Sequence, residues 1–361
     1  MDKLKNILFL LVFLVVTIAE PITACTTFRL KVGNHIVLCK NLDYELDLGL
    51  IVINKKGVLK RAFLPDGKNA AEWISKYGSV TFNHLGKEFP LGGMNEAGLA
   101  IEEMNYFWTK YPAPDERPCI AEMQWIQYQL DNFSTVEEVI KSDSLIRIIP
   151  LFANIHFMVS DKSGNMATIE FIKGKMVYHT GDKIIAPVLT NHSYAESVEA
   201  LRNYKGFGGD KDIPHEYKSL NNFIKAAAAI QNYADDIPVI DYSFNILSSV
   251  ANKIDTQWSI VYDQSHAKIF YKTKRYPKIK SIDLQKIDFS CENRSLVIDI
   301  NNDLENEINS YFLDYSTKLN ETHLNKVFIR LKHLGEIDEM PDEDFLKSFA
   351  KYPETGKCKQ K

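Results

Sequence analysis

The sequence predicts an α+β protein in which antiparallel β-hairpins are combined with separate helical segments. Strand-like segments flank short turn signals at three places in the chain, and capped or alanine-rich segments lie between these places. Strands joined by tight turns must run antiparallel, whereas a parallel βαβ array needs a helical crossover between strands. The order of elements therefore favours antiparallel sheets covered by helices in one layered domain.

The hairpins are predicted from alternating apolar and polar residues on both sides of each turn. Residues 26–32 alternate, Gly33 and Asn34 form a turn signal, and residues 35–42 are strand-like again. The other predicted strands are residues 154–160, 167–172 and 175–180 around a turn at 162–165, and residues 257–262 and 267–271 around a turn at 263–265.

Helices are predicted from propensity and from capping signals. Ser134 and Glu137 fit a capping box that opens one helix. The remaining predicted helices are residues 120–130, 219–233 with its run of four alanines, 241–251, 304–334 and 344–351. Gly92 and Gly93 are expected to enter a strand with unusual dihedral angles. We divide the chain into a signal peptide, 1–24, and a single domain, 25–361, with a core at about 25–290 and a helical C-terminal segment at about 303–351.

The composition is that of an ordinary globular protein. Of 361 residues, 45% are hydrophobic and 25% are charged, and the formal net charge is −4. No block of lysine and arginine with interleaved aromatic residues is present, which argues against a nucleic-acid partner. The nine histidines show no paired metal-ligand spacing, so the sequence predicts neither a metal nor another cofactor.

The N-terminal segment has the layout of a secretory signal peptide. Lys3 and Lys5 precede an apolar run from Ile7 to Ile18, and small residues end at Ala24, directly before Cys25. The run is too short for a spanning helix, which needs roughly 20 apolar residues. We therefore predict export to the periplasm or the medium, with no stable membrane span in the mature chain.

The five cysteines are widely spaced and form no CxxC pair, which argues against a zinc site or a disulfide-dense scaffold. Cys291 and Cys358 are a candidate disulfide by position alone, and unpaired cysteines are the favoured interpretation.

Cys25 is the main candidate for a catalytic residue. Counting back from the turn at Gly33 places Cys25 opposite the neighbourhood of Leu42, with Lys40 and Asp43 beside it. Cleavage after Ala24 would leave an α-amino group with a pKa of about 7.7–8.0, which can take the proton of the thiol. Lys40 would favour the thiolate, and Asp43 would orient the amine.

Other interpretations of Cys25 remain open. The residues before Cys25 also fit a lipoprotein signal, which would make the protein a non-catalytic envelope lipoprotein that binds amphiphiles. Cys25 could instead be a small buried hydrophobic residue. A Cys–His dyad that uses His84, His156 or His192 is a further alternative, although an N-terminal amine already supplies a base. Cys25 could also form an acyl-enzyme that passes its acyl group to an amine, which would make the protein an acyltransferase.

Several short motifs occur in order along the chain. They are CTTF at 25–28, KNLD at 40–43, GMNEAGL at 93–99, EMN at 103–105, WIQYQLD at 125–131, VLTN at 188–191 and TQWSIVY at 256–262. Together they resemble the choloylglycine hydrolase family, which includes bile salt hydrolases and penicillin V acylases, and the resemblance covers roughly residues 25 to 275.

The resemblance implies a fold and a set of site residues. The expected fold is the four-layer αββα sandwich of N-terminal-nucleophile hydrolases, with two antiparallel sheets between helix layers. Cys25 corresponds to the nucleophile and Asp43 to the aspartate that steadies the amine. Asn105 and Asn191 correspond to positions that stabilise the oxyanion, and Lys40 stands where the family usually has arginine.

The resemblance also implies an activity, which is hydrolysis of a linear, non-peptide amide in a small N-acyl substrate through a thioester. We expect the substrate to contact Tyr106, Phe107 and Trp108, which follow Asn105. Asn222 aligns with a second family arginine and is a further candidate contact. The family implies no cofactor, and homotetramers are common in it.

Overall fold

The computed structural model describes residues 24–64, 67–233 and 236–359. The predicted signal peptide lies outside the described residues except for Ala24.

The elements of these ranges are listed here in chain order. The strands are β1 (Thr26–Val32), β2 (His35–Asp43), β3 (Leu50–Asn54), β4 (Val58–Arg61), β5 (Glu72–Ile74), β6 (Ser79–Asn83), β7 (Gly92–Asn95), β8 (Ala100–Asn105), β9 (Cys119–Ala121), β10 (Arg147–Ile149), β11 (Ile155–Ser160), β12 (Met166–Ile172), β13 (Lys175–Thr180), β14 (Val188–Leu189), β15 (Thr256–Asp263), β16 (Lys268–Thr273), β17 (Lys280–Asp283), β18 (Leu296–Asp299), β19 (Asn306–Glu307), β20 (Leu313–Asp314) and β21 (Lys357–Cys358). The α-helices are α1 (Glu122–Asn132), α2 (Val136–Lys141), α3 (Tyr194–Leu201), α4 (Ser219–Gln231), α5 (Val239–Ser249), α6 (Thr317–Leu334) and α7 (Glu343–Lys351).

Two large sheets form the centre of the molecule. The first has the strand order β14-β1-β2-β15-β16-β17-β19, and the second has the order β13-β12-β11-β8-β7-β6-β3-β18-β20. Neighbouring strands run antiparallel in both sheets except for the edge pair β17–β19, which is parallel. All three predicted hairpins are present, with ends within one or two residues of the prediction.

The two sheets pack face to face around an apolar core, and helices cover their outer faces. Phe82 of the second sheet lies 6.0 Å from Tyr262 and 5.9 Å from Tyr271 of the first, measured between ring centroids. On the outer face of the second sheet, Trp125 of α1 packs against Phe157 of β11 at 4.5 Å. Helices α4 and α5 contact β1 and β2 on the other outer face. This arrangement confirms the predicted αββα sandwich.

The start of α2 corrects one local prediction. The N-cap is Thr135 rather than Ser134, and its hydroxyl accepts a hydrogen bond from the backbone of Glu138. The Glu138 carboxylate accepts a hydrogen bond from the backbone N–H of Thr135, which completes the capping box one residue later than predicted. Both registers fit the sequence pattern, but Glu138 also bonds to Ser134, so the later register satisfies more donors.

The C-terminal segment is helical over less of its length than predicted. Residues 304–316 contain the short strands β19 and β20, and α6 begins only at Thr317, with Ser316 as its N-cap. Phe349 of α7 packs against Phe63 and Phe89 at 5.1 and 4.6 Å, which fixes the segment to the sandwich. No helix within the described ranges is long and apolar enough to cross a bilayer.

A disulfide joins Cys291 to Cys358, so the favoured interpretation of these two residues as unpaired is wrong. The bond links the C-terminal strand β21, which pairs with β4, to the segment that precedes β18. It closes a sequence separation of 67 residues and therefore restricts the unfolded chain.

We predict that replacing Cys358 with serine lowers the free energy of unfolding by about 2–4 kcal/mol, because the cross-link no longer limits the unfolded ensemble. The measurement is urea unfolding with and without a reductant. The wild type should become less stable on reduction, whereas Cys358→Ser should not respond. Cys119→Ser is the control, since Cys119 lies outside the disulfide. Equal stability of Cys358→Ser and the oxidised wild type would contradict the prediction.

Candidate active site

The strand register brings the candidate residues of β1 and β2 to one sheet edge. Thr26 pairs with Asn41, so Cys25 lies opposite Leu42, as the hairpin count predicts. The backbone N–H of Asp43 donates to the Cys25 sulfur at 3.5 Å. On the other side of β2, Thr256 of β15 pairs with Asp43, and its hydroxyl donates to the Asp43 carboxylate.

The Cys25 thiol lies in a poorly hydrated environment and is only 6% exposed. Burial raises its pKa to about 12, Lys40 opposes the shift, and the charges of Glu103 and Asp43 add to it. With Ala24 still attached, the thiol is therefore protonated at neutral pH.

Tyr217 lies against the peptide bond between Ala24 and Cys25. Its hydroxyl donates to Asp43 Oδ2 at 2.6 Å and accepts from the backbone N–H of Ala24 at 2.9 Å. The carbonyl oxygen of Ala24 is 3.3 Å from the same hydroxyl. Tyr217 was missed by the sequence analysis, because it lies in the loop before α4 and belongs to no recognised motif.

The carboxyl group of Asp43 titrates close to neutrality. Burial raises its pKa to about 6, while hydrogen bonds from Thr256 and Tyr217 and the charge of Lys40 favour the ionised form. Its two oxygens are held by different partners, Oδ1 by Thr256 and Oδ2 by Tyr217. The orientation of the carboxylate is therefore fixed before any substrate binds.

Lys40 is a buried cation between the two sheets, with a side chain that is 1% exposed. Its Nζ donates to the carbonyl oxygen of Glu103 and lies 3.9 Å from Glu102 Oε2. Burial alone would lower the pKa of Lys40, but the charges of Cys25, Glu103 and Glu102 outweigh it and hold the pKa above its ordinary value. The positive charge predicted beside Cys25 is thus retained without an arginine.

Glu102 is the buried acidic partner of Lys40 and was also missed by the sequence analysis. Burial raises its pKa to about 8, while Lys40 and a hydrogen bond from Tyr262 favour the ionised form. Gly92 leaves room for this carboxyl group, since a Cβ at Gly92 would lie 2.3–2.5 Å from its atoms. Close packing is thus the reason for glycine at position 92, rather than the unusual dihedral angles expected from the sequence.

The two asparagines approach the same edge from different sheets. Thr27 pairs with Leu189 of β14, and continuing this antiparallel register places Asn191 opposite Cys25. The backbone N–H of Asn191 donates to Ser219 Oγ at 3.0 Å. Asn105 ends β8 in the second sheet, and the adjacent Met104 accepts a hydrogen bond from the Thr27 hydroxyl across the sandwich. Their oxyanion roles remain predictions.

The predicted substrate contacts differ in their surroundings. Phe107 and Trp108 are 70% and 61% exposed and pack edge to face at 4.9 Å. Tyr106 is buried and stacks on His156 at 5.0 Å. Asn222 is fully buried in α4, where its side-chain amide donates to the carbonyl oxygen of Val250 at 3.1 Å. Within this structure Asn222 therefore joins α4 to the end of α5, and a contact with substrate remains a prediction.

Two of the three histidines considered for a dyad are hydrogen-bonded elsewhere, and the third is a weak base. His156 lies 2.7 Å from the carbonyl oxygen of Thr190, and His192 lies 2.8 Å from Ser219 Oγ. Burial lowers the pKa of His84 to about 3, which leaves a weak base.

Comparison with known proteins gives a family match. Residues 25–299 match the family of linear amide C–N hydrolases known as the choloylglycine hydrolase family. A penicillin V acylase from Pectobacterium atrosepticum is 27% identical over 267 residues, which cover 62% of this chain and 70% of the relative.

Solved structures show the same fold. A penicillin V acylase from Agrobacterium tumefaciens superposes with a TM-score of 0.70 at 26% identity, covering 81% of this chain and 98% of that one. A mutant of a conjugated bile acid hydrolase from Clostridium perfringens superposes with a TM-score of 0.64 at 21% identity, covering 79% and 99% of the two chains.

We predict that Glu102→Gln reduces the loss of stability as the pH rises from 5 to 8. The folded protein holds a proton on Glu102 up to a pKa of about 8, whereas the unfolded chain releases it near 4.5. This stabilisation is complete below pH 4.5 and is lost as the pH rises through 8, by at most about 1.4 kcal/mol per pH unit. A glutamine does not ionise, so the variant gains stability relative to the wild type as the pH increases.

The measurement is urea unfolding at pH 5, 6, 7 and 8. Glu292→Gln is the control because Glu292 is exposed, and it should follow the wild type throughout. A constant difference between Glu102→Gln and the wild type across this range would show that Glu102 does not carry the proton.

Proposed function

Because the chain belongs to the choloylglycine hydrolase family of linear amide C–N hydrolases, we propose that it is an exported hydrolase whose N-terminal Cys25 attacks an N-acyl amide. The observation that carries this proposal is that the Tyr217 hydroxyl contacts the backbone of Ala24, directly before Cys25, and also donates to the Asp43 carboxylate. A hydroxyl already lies beside the peptide bond whose cleavage would create the α-amine, and the same hydroxyl holds the Asp43 carboxylate.

Cleavage after Ala24 supplies the base that the uncut chain lacks. An amide nitrogen does not accept a proton at neutral pH, whereas an α-amine has a pKa of about 7.7–8.0. The new amine therefore takes the proton of the Cys25 thiol, directly or through one water molecule. Asp43 accepts a hydrogen bond from the amine, and Lys40 stabilises the thiolate that forms.

In the first half of the reaction, the thiolate sulfur bonds to the carbonyl carbon and an electron pair moves to the carbonyl oxygen. Asn105 and Asn191 donate hydrogen bonds to this oxyanion, and such a donor lowers a barrier by about 3 kcal/mol. When the intermediate collapses, the C–N bond breaks, and the Cys25 ammonium gives its proton to the departing nitrogen. The amine product leaves a thioester on Cys25.

Water completes the reaction by the same route in reverse. The α-amine takes a proton from the water as its oxygen adds to the thioester carbon. The C–S bond then breaks, the carboxylic acid leaves, and the proton returns to the sulfur. If an amine instead of water attacked the thioester, the acyl group would be transferred to that amine and the protein would be an acyltransferase. Product analysis with and without added amines distinguishes acyl transfer from hydrolysis.

Aromatic acyl amides are the substrate class that we propose. Two relatives above 25% identity are penicillin V acylases, and penicillin V carries a phenoxyacetyl group. The exposed pair Phe107 and Trp108 directly follows Asn105 and offers aromatic surface for such a group. Conjugated bile acids are the comparison substrates, since the bile acid hydrolase resembles this chain at 21% identity.

The proposed export is supported by the disulfide between Cys291 and Cys358, because disulfides persist in oxidising compartments. Burial of Cys25 supports a free terminus over the lipoprotein. The sulfur is buried and contacts the backbone of Asp43, so a lipid attached to it would have no open path to solvent through the described residues. Intact mass and N-terminal sequencing of exported protein separate the two, because a lipoprotein has a diacylated, blocked Cys25.

We predict that Cys25→Ala and Cys25→Ser each lower the turnover of penicillin V by about 10³-fold or more, because no thioester forms. The measurement is release of the amine product by protein whose N-terminus has been sequenced as residue 25.

Cys119→Ser is the matched control. The Cys119 sulfur donates to the carbonyl oxygen of Arg117, and a serine hydroxyl can keep that bond. This variant should retain activity. Unchanged turnover in both Cys25 variants would exclude the mechanism, whereas turnover of bile acids alone would change only the substrate class.

We further predict that Tyr217→Phe moves the acid limb of the kcat/KM profile to higher pH. The Tyr217 hydroxyl donates to Asp43 and lowers its pKa, so losing this bond raises that pKa further above about 6. Ionised Asp43 is the form that accepts a hydrogen bond from the amine, and activity should therefore require a higher pH. Tyr276→Phe is the control because the described hydrogen bonds of Tyr276 do not involve Asp43. An identical acid limb in wild type and Tyr217→Phe would show that the Tyr217 hydroxyl does not set the pKa of Asp43.

A further inference from the structure

We propose that the protein binds one transition-metal ion of the zinc class at a second site, formed by His35, Asp263 and His266. The candidate ligand atoms of these three residues all lie within 4.8 Å of one another. The site lies at the turn end of the first sheet, away from Cys25, and takes no part in the proposed hydrolysis.

The fold brings these residues together from two hairpins that are distant in sequence. His35 opens β2 directly after the turn at Gly33, while Asp263 ends β15 and His266 lies in the turn that follows. Strands β2 and β15 are neighbours, with Asp263 paired to Val37. The site thus forms only when the first and third hairpins pack side by side, so it could not be predicted from the spacing of the histidines in the sequence.

The site is already partly ordered without a metal. His266 Nδ1 lies 2.8 Å from Asp263 Oδ2, and the backbone N–H of His266 donates to Asp263 Oδ1 at 3.2 Å. The ring centroids of His35 and His266 are 4.8 Å apart. Asp263 is buried, so its carboxylate has a fixed position, whereas both imidazoles reach solvent and are open to an ion.

Hydrogen bonds of the turns hold the two hairpins in register at this point. The Ser265 hydroxyl donates to the carbonyl oxygen of Asn34 and accepts from the backbone N–H of Ile36. The backbone N–H of Gln264 also donates to the carbonyl oxygen of Ile36. These bonds join the loop that carries His266 to the strand that carries His35, so the ligands need only side-chain rotation to close on an ion.

The donor set selects the class of metal. Two imidazole nitrogens and one carboxylate oxygen suit Zn²⁺, Ni²⁺ or Cu²⁺, whereas Ca²⁺ and Mg²⁺ prefer oxygen ligands alone. Metal–ligand bonds of about 2.1 Å place the ligands of a tetrahedral ion roughly 3.4 Å apart. His266 Nδ1 and Asp263 Oδ2 are closer than this, at 2.8 Å, so an ion between them would move them slightly apart, and rotation of exposed His35 would supply the third ligand. Water would complete the coordination.

A bound ion would join two hairpins that both contribute to the candidate active site at their other ends. Val32, which pairs with His35, is seven residues from Cys25, a distance of about 23 Å at about 3.3 Å per residue. The expected effect is therefore on stability, because an ion that binds the folded chain and not the unfolded one raises the free energy of unfolding.

The test uses purified full-length mature protein that has been treated with a chelator and then titrated with ZnCl₂ by calorimetry. Wild type should bind one zinc ion, and its melting temperature should rise with zinc. His35→Ala and His266→Ala should each weaken binding by at least about tenfold and lose the thermal shift. His333→Ala is the matched control, since His333 is exposed near the end of α6, and it should bind zinc like the wild type.

Cys25 is a competing ligand for zinc, so the titration is repeated in Cys25→Ser. Retained one-to-one binding in this variant supports the proposed site. Binding that disappears in Cys25→Ser and persists in His35→Ala would place the ion at the thiol and overturn the proposal. Absence of saturable binding in the folded wild type would overturn it as well, and neither result would affect the test of hydrolysis.

Discussion

The register of the central strand β2 is the constraint on which the rest of the molecule depends. This strand pairs with β1 on one side and with β15 on the other, and the two ladders fix which residues meet at each of its ends. Cys25, Asp43 and Thr256 meet at one end, and His35 and Asp263 meet at the other. Because successive side chains point to opposite faces, a slip of one residue would exchange the core face with the helix-facing side and separate both groups. The apolar face shared with the second sheet opposes such a slip, so the hydrophobic core also preserves the geometry of the site.

Burial of Lys40 gives the candidate site its electrostatic character. A buried ammonium group is costly unless it is hydrogen-bonded and paired with an opposite charge. Lys40 donates to the carbonyl oxygen of Glu103 and lies among several buried acidic groups, which include Glu102 and Glu103. Glu102, which keeps its proton up to a pKa of about 8, is held by Tyr262 in the space left by Gly92. Lysine lacks the planar fork of arginine and acts as a point charge, which one carbonyl acceptor and the surrounding acidic groups accommodate. The departure from the family pattern at position 40 is thus accompanied by a local environment that fits lysine.

The sequence was most informative where structure is local or where a short turn sets the register. The three hairpins and the position of Cys25 opposite Leu42 followed from alternation and turn signals, and the resemblance correctly implied the αββα fold. The capping box at Thr135 was placed one residue early because two registers fit the same residues. The helix predicted over residues 304–334 begins only at Thr317, because residues 306–307 and 313–314 pair with neighbouring strands. Tyr217 was not found, and the disulfide could be named only as a candidate by position, because the partners are far apart along the chain: Tyr217 meets Asp43 across 174 residues, and Cys291 meets Cys358 across 67.

The contacts of Ala24 bear on when the proposed activity begins. In the uncut chain, the Tyr217 hydroxyl is shared between Asp43 and the backbone of Ala24, and burial raises the thiol pKa to about 12. A chain that folds before cleavage therefore has a protonated thiol and no amine to take its proton. Removal of Ala24 takes away both of its contacts with Tyr217 and creates the amine beside Asp43. On the proposed mechanism, a single cleavage would thus change the base, the hydrogen-bonding of Tyr217 and the ionisation of Cys25 together. Hydrolysis would then require the mature terminus, even though Tyr217 and Thr256 already hold Asp43 in the uncut chain.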